Sequence, residues 1–176
     1  RKNSNFQYSR AYEEARSAQD EPFDTEGLDT IPEKDRRWSW IEIDLSAIRH
    51  NIVEVRRLMR PSCRLCAVVK ADAYGHGMLP VAKTALNAGA TMLGVATVDE
   101  GITLRKAGIA AEILILSEPP ATAVELLLAY NLMPSIYTTE FALAYAEAAD
   151  RRNLQAPYHL ALNTGMNRIG VRAEEA

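Results

Sequence analysis

The sequence predicts an α/β fold that forms the first part of a (β/α)8 barrel. Three observations predict it. Short continuous apolar runs recur along the chain, as strands buried in a parallel sheet require. Segments with helical periodicity separate them. The connections are short, which suits alternating β and α units.

The elements follow in order. Residues 38–45 (WSWIEIDL) alternate aromatic and β-branched side chains, so they read as a strand. Asp44 or Ser46 caps a helix in which Ile48, Ile52, Val55 and Met59 share one face, and Pro61 and Ser62 end it. Residues 65–69 (LCAVV) read as a strand buried on both faces. A helix follows near 79–87, with Leu79, Ala82 and Leu86 inward and Gly89 as its stop. Residues 92–96 form the next strand. Thr97 and Glu100 then make a capping box for a helix that ends at Gly108. A strand over 112–116 leads through Pro119 and Pro120 to a helix over 121–130. Residues 132–136 form a strand that should lie near an edge or bulge, because Pro134 lacks an N–H. Thr138 or Thr139 caps a helix carrying Phe141, Tyr145 and Ala148, residues 158–162 form the last strand, and a helix is expected to start over 172–176. A doubly wound sheet is the alternative, but the G-x-G-x-x-G turn that usually marks it is absent. Five strands cannot close a barrel, so the chain is expected to hold only part of one.

Sixteen of the first 37 residues are charged, and the apolar ones there keep no period. Residues 1–37 are therefore expected to be a polar, flexible tail, with the barrel portion over 38–176. With 176 residues and a net charge of −3, the chain has a sizeable core and no basic excess, so nucleic acid is not an expected partner. No apolar run approaches the ~18 residues of a spanning helix, and no signal segment opens the chain. No membrane partner is expected. Two cysteines fit a reducing compartment, and the cytoplasm is the expected location. Arg1 is not expected to be the encoded start, since no Met precedes it.

Lys70 closes the run Ala67, Val68, Val69. In a barrel, strand C-terminal ends face the active site, and a lysine among apolar neighbours there can act as nucleophile or base. Taken alone, a strand-end lysine more often reaches into solvent. The segment beginning with it, residues 70–77 (KADAYGHG), adds Tyr74 and two glycines that let backbone approach a ligand. The C-x-x-C of Cys63 and Cys66 lacks the second pair a zinc site needs and leads into a strand, so a structural role is expected and no metal site is assigned. His50 reads as solvated, His76 as a support for the KADAYGHG loop, and His159 as a buried, hydrogen-bonded imidazole.

Residues 68–77 resemble the pyridoxal phosphate lysine motif of the alanine racemase family. Residues 40–51 (WIEIDLSAIRHN), Val95 and Ala96 with Asp99, Glu100, Leu104 and Arg105, and residues 164–170 (TGMNRIG) extend the resemblance in order. It implies the family's N-terminal barrel domain. It also implies that Lys70 carries pyridoxal 5'-phosphate as a Schiff base and moves the substrate Cα proton. Tyr74 would bond the cofactor phosphate. Arg168 would face the cofactor's phenolic oxygen and the substrate carboxylate. The implied reaction interconverts L-alanine and D-alanine and supplies D-alanine for peptidoglycan. Family members are homodimers, with a second base, a Tyr, from the partner chain. Those parts would lie beyond residue 176, so these residues alone are expected to have little activity.

One departure concerns the strand before TGMNRIG. Many family members carry a Lys, often carbamylated and so negatively charged, and an Asp where this chain has Ala161 and Asn163. A chloride ion held by Asn163 and Arg168 would replace the lost negative charge. The Ala-x-Asn pattern is similar to that of broad-specificity amino-acid racemases, which are the second reading. A non-catalytic pyridoxal phosphate-binding module is the third, and the long lysine motif argues against it.

Overall fold

The computed structural model describes residues 41–172 and residue 174. The tail expected over 1–37, and residues 38–40 of the first predicted strand, lie outside them. The chain divides into two units between Glu42 and Ile43, and the second contains all the secondary structure described below.

Helix α1 (Leu45–Leu58) begins at Asp44, whose Oδ1 accepts the N–H groups of Ser46 (2.8 Å) and Ala47 (3.1 Å). The strand predicted over 38–45 is corrected here. Residues 41–44 lie in no strand, Leu45 is helical, and Ile41 is exposed. Alternation specifies a strand only where a neighbour pairs with it, and no described strand does.

Five parallel strands follow, β1 (Cys66–Val68), β2 (Met92–Val95), β3 (Glu112–Ile115), β4 (Met133–Ile136) and β5 (His159–Leu160), in spatial order β1-β2-β3-β4-β5. The intervening helices are α2 (Lys70–Gly75), α3 (Met78–Asn87), α4 (Val98–Lys106), α5 (Val124–Ala129, after a 3-10 turn at Ala121–Ala123) and α6 (Thr139–Arg151). Sequential order in a parallel sheet is the arrangement of a barrel arc, so the predicted fold class holds.

The core lies between sheet and helices. Leu93, Val95, Ile113, Ile115 and Ile136 meet Ala82, Leu104, Leu127, Phe141 and Tyr145 there. Among the described residues, the opposite sheet face carries only a small cluster of Met92, Leu114 and Met133 with Cys66 and Leu116. β1 is therefore not buried on both faces as expected. Val68 is 42% exposed, because no described residue covers the inner face of the arc beside it.

Pro134 also departs from expectation, since β4 is an interior strand between β3 and β5. Ladder alternation supplies the reason. Ile136 faces β5, its carbonyl accepting the Ala161 N–H (2.9 Å), so Pro134 two residues earlier faces β5 too. Pairing with β5 begins only where Ser135 lies opposite His159, so the missing N–H costs no ladder bond.

The last predicted strand is broken. β6 (Leu162–Asn163) leaves β5 and pairs with β7 (Val171–Arg172). Arg172 is thus in a strand and not at the start of the predicted helix, tied in by the Val171 N–H to the Ala161 carbonyl (2.9 Å). Gly170 permits this pairing. Its φ is +106°, and a Cβ there would sit 2.7 Å from the Asn163 nitrogen.

Candidate active site

The KADAYGHG segment is not the loop the sequence suggested. Residues 71–74 form one turn of left-handed helix, with φ values of 51°, 53°, 52° and 56°. For L-residues this conformation costs about 1–2 kcal/mol per residue, so several contacts must enforce it. The Ala73 N–H bonds the Val69 carbonyl (2.9 Å), and the Ala73 methyl is buried in the core. The Gly77 N–H bonds the Asp72 carbonyl (2.9 Å), and Asp72 Oδ1 accepts the Met78 N–H (2.6 Å). His76 Nδ1, as its proton-bearing nitrogen, donates to the carbonyls of Ala73 (3.0 Å) and Tyr74 (3.3 Å). Glu100 Oε1 accepts the Ala71 N–H (2.7 Å).

Lys70 stands where β1 meets this turn and is half-buried. Its Nζ lies 5.9 Å from the centre of the Tyr74 ring, within cation–π range. Tyr74 is 63% exposed. Gly75, at φ +85°, has no atom within 4 Å of where a Cβ would be, so the turn is open to a ligand on that side. The structure thus brings together an amine, a phenol and an unobstructed backbone.

Arg168 lies in the exposed loop after β6, at the same end of the sheet as Lys70. It has no hydrogen bond or ion pair among the described residues. β1 and β5 are the two edges of the sheet, roughly 19 Å apart along it, and the described residues give no contact between Arg168 and Lys70 or Tyr74. Asn163 is committed elsewhere. Its Oδ1 accepts the N–H groups of Gly165 (3.2 Å) and Asn167 (3.0 Å), and its Nδ2 donates to Asn167 Oδ1 (3.0 Å). It holds the TGMNRIG loop in shape rather than meeting Arg168.

The remaining candidates fall away from this end. His50 is exposed, as expected. His159 is exposed, which corrects the buried imidazole, because β5 is the outermost strand and covers little. Cys63 and Cys66 are free thiols, and burial pushes the Cys66 thiol up, away from the reactive thiolate. A cleft of about 360 Å³ beside Arg64, Arg105, Glu112 and His159 opens at the strands' N-terminal ends, opposite Lys70. No group of three His, Cys, Asp or Glu among the described residues is placed to hold a metal, and no described helix is long and apolar enough to cross a membrane.

Two contributions were missed in the sequence. Glu100 was read only as a helix cap, yet it reaches across to the lysine turn. Arg105 grips four backbone carbonyls from two loops. The only sequence signal for either was membership of the matching segment around β2 and α4.

Comparison with known proteins bears on this geometry. Residues 43–176 match the family model described as alanine racemase, N-terminal domain. The chain is 49% identical over 136 residues to an alanine racemase of Carboxydothermus hydrogenoformans, covering 77% of this chain and 37% of that protein. Among solved structures, alanine racemase from E. faecalis superposes with a TM-score of 0.70 at 40% identity, over 73% of this chain and 35% of that one. Histidine racemase from Leuconostoc mesenteroides subsp. sake does so at 0.69 and 31% identity, over 76% and 36%. The chain spans a little over a third of the length of the relatives it matches.

Proposed function

The chain belongs to the alanine racemase family as its N-terminal domain, and from that membership we propose that it supplies the cofactor lysine of a pyridoxal phosphate-dependent racemase interconverting L-alanine and D-alanine. The observation that carries this reading is the left-handed turn that sets Lys70 beside Tyr74 at the end of β1.

The residues present suit that cofactor. Lys70 offers an amine to its aldehyde, Tyr74 a donor to its phosphate, and Arg168 a guanidinium fork for a phenolic oxygen and a substrate carboxylate. When bound, the cofactor supplies an electron sink for charge left at Cα. Lys70 Nζ would hold the cofactor and would take or return the substrate Cα proton on one face. A half-buried Lys70 stem keeps that amine at a fixed height above the strand end. Asn163 keeps the Arg168 loop in its turn. The opposite face needs a second base, which in this family is a tyrosine of a partner chain. The working protein is therefore a homodimer when full length, residues 1–176 alone have little activity, and the D-alanine made in the cytoplasm goes to peptidoglycan.

A second reading, a broad-specificity racemase, is favoured by Ala161 and Asn163 and by the likeness to a protein named histidine racemase. Loss of two negative charges near Arg168 leaves room for chloride and for larger substrates.

Absorbance tests the first step. Protein incubated with pyridoxal phosphate should gain a band near ~420 nm that borohydride bleaches and that Lys70→Ala lacks. No such band in the full-length gene product would refute the cofactor reading. A panel of alanine, histidine and basic L-amino acids then separates the two substrate readings. D-product from alanine alone supports the first, and comparable turnover of histidine or lysine supports the second.

A further inference from the structure

Glu100 makes more hydrogen bonds than its helix needs. A capping box requires its carboxylate to accept only the Thr97 N–H, which Oε2 does at 3.1 Å. Oε2 also accepts the Ala96 N–H (2.8 Å), and Oε1 accepts the Ala71 N–H (2.7 Å) from a segment 29 residues away. One carboxylate thus joins the end of β2 to the first residue of the left-handed turn.

That N–H has no partner within its own turn, since the first N–H groups of any helical turn are orphaned. Each of residues 71–74 would gain about 1–2 kcal/mol by reverting to the right-handed region. Reversal would change the direction in which residues 71–75 leave β1, and so would move Tyr74 relative to the strand end that carries Lys70. A charged acceptor on Ala71 is well suited to oppose it, charge-assisted bonds being about twice as strong as neutral ones.

We propose that Glu100 is a positioning residue for Lys70, holding the left-handed turn so that the lysine amine and the Tyr74 phenol present to one ligand. The proposal rests on the cofactor reading given above. It assigns Glu100 no contact with cofactor or substrate.

Glu118 provides an internal control. Its Oε2 accepts the Tyr137 (2.6 Å) and Thr138 (2.8 Å) N–H groups and its Oε1 the Thr138 hydroxyl (2.6 Å), so it is a similar staple further along the same rim. No left-handed run is attached to it.

The test compares Glu100→Gln with Glu118→Gln in the full-length gene product. Glutamine keeps the size but must point its NH2 at one of the N–H groups. Three quantities are read: the thermal midpoint, the pyridoxal phosphate Kd from the Lys70-dependent band, and hydrogen exchange of the Ala71 amide in cofactor-free protein. The expected result is a lowered midpoint in both variants. Only Glu100→Gln should weaken cofactor binding, by about tenfold or more, and speed Ala71 exchange. Its band should also titrate at a different pH from the wild type's. Unchanged Kd and exchange in Glu100→Gln, or equal Kd losses in both variants, would overturn the proposal. Glu100→Asp, one methylene too short to span both segments, replaces Glu100→Gln if the latter yields no folded protein, with the same outcomes. A wild-type protein without the band sinks the cofactor reading alone, and Ala71 exchange still decides whether Glu100 holds the turn.

Discussion

Tyr145 shows how one side chain can carry several tasks. It is almost fully buried, its ring stacks on Phe141 at 6.0 Å, and its hydroxyl donates to the Pro157 carbonyl (3.2 Å) where the chain turns into β5. Burial pushes its phenol up to about 12. A folded-state value above the unfolded one, near 10, means that the folded protein keeps this proton longer. The associated stability is fully present below pH ~10 and is lost as pH rises through ~12, by about 2 kcal/mol. Tyr145→Phe should cost about 1 kcal/mol at neutral pH through the lost hydrogen bond. It should also abolish the extra alkaline loss. Urea denaturation of both proteins at pH 8, 10 and 12 measures this, and parallel pH profiles would contradict it. Such residues were only partly legible. The period of helix α6 placed Phe141 and Tyr145 inward, but nothing local tied Tyr145 to residue 157. Lys70, Tyr74 and Arg168 were legible as motif members. The hand of the turn between Lys70 and Tyr74 was not, because Ala and Asp intrinsically favour the right-handed region and the forces that invert it come from Asp72, His76 and Glu100 acting together.

Elements defined by their own termini were readable at the scale of the chain. The capping box at Thr97, the Asp44 and Thr138 caps, and the stops at Gly89 and Gly108 all occur where short-range chemistry puts them. Elements defined by a distant partner were not. Residues 41–44 form no strand, with no described strand beside them, and 158–162 divides because Gly170 brings β7 against Asn163. Arg105 belongs to this second kind. From the last turn of α4 its Nη1 donates to the carbonyls of Ile109 (2.7 Å) and Ala111 (2.6 Å), its Nε to Tyr130 (2.9 Å) and its Nη2 to Asn131 (2.8 Å). One guanidinium thus fixes the entries to β3 and β4. Arg105→Met should leave these acceptors unmet and destabilise the fold by about 3 kcal/mol, and Arg105→Lys should recover less than half, since an ammonium lacks the planar fork. Denaturant midpoints for both variants test this. A loss under about 1 kcal/mol in Arg105→Met, or full recovery with lysine, would show that the fork is dispensable.

For the whole molecule the governing fact is that a barrel arc has edges. βα alternation made the parallel sheet and its incompleteness readable, because each apolar run is bounded by turn residues and helical periods lie between. What the sequence could not reveal was which apolar surface stays open. Leu160 and Leu162 are more than half exposed at the last edge, Val68 is 42% exposed on the inner face, and a groove of about 510 Å³ runs between α6 and β5 past Leu143, Leu154 and Tyr158. Unpaired strand edges beside apolar side chains promote association between chains. In the relatives, nearly two thirds of the length lies outside the matched region, enough to cover such surface. The isolated 176-residue chain should therefore bind the dye ANS strongly and self-associate at micromolar concentration. The same residues within the full-length gene product should do neither through these surfaces. Dye fluorescence and sedimentation at several concentrations make the comparison. A monomeric isolated chain with no dye signal would mean that the exposed edge is shielded from within residues 1–176, and a truncated barrel would then be the wrong description of how this sheet is finished.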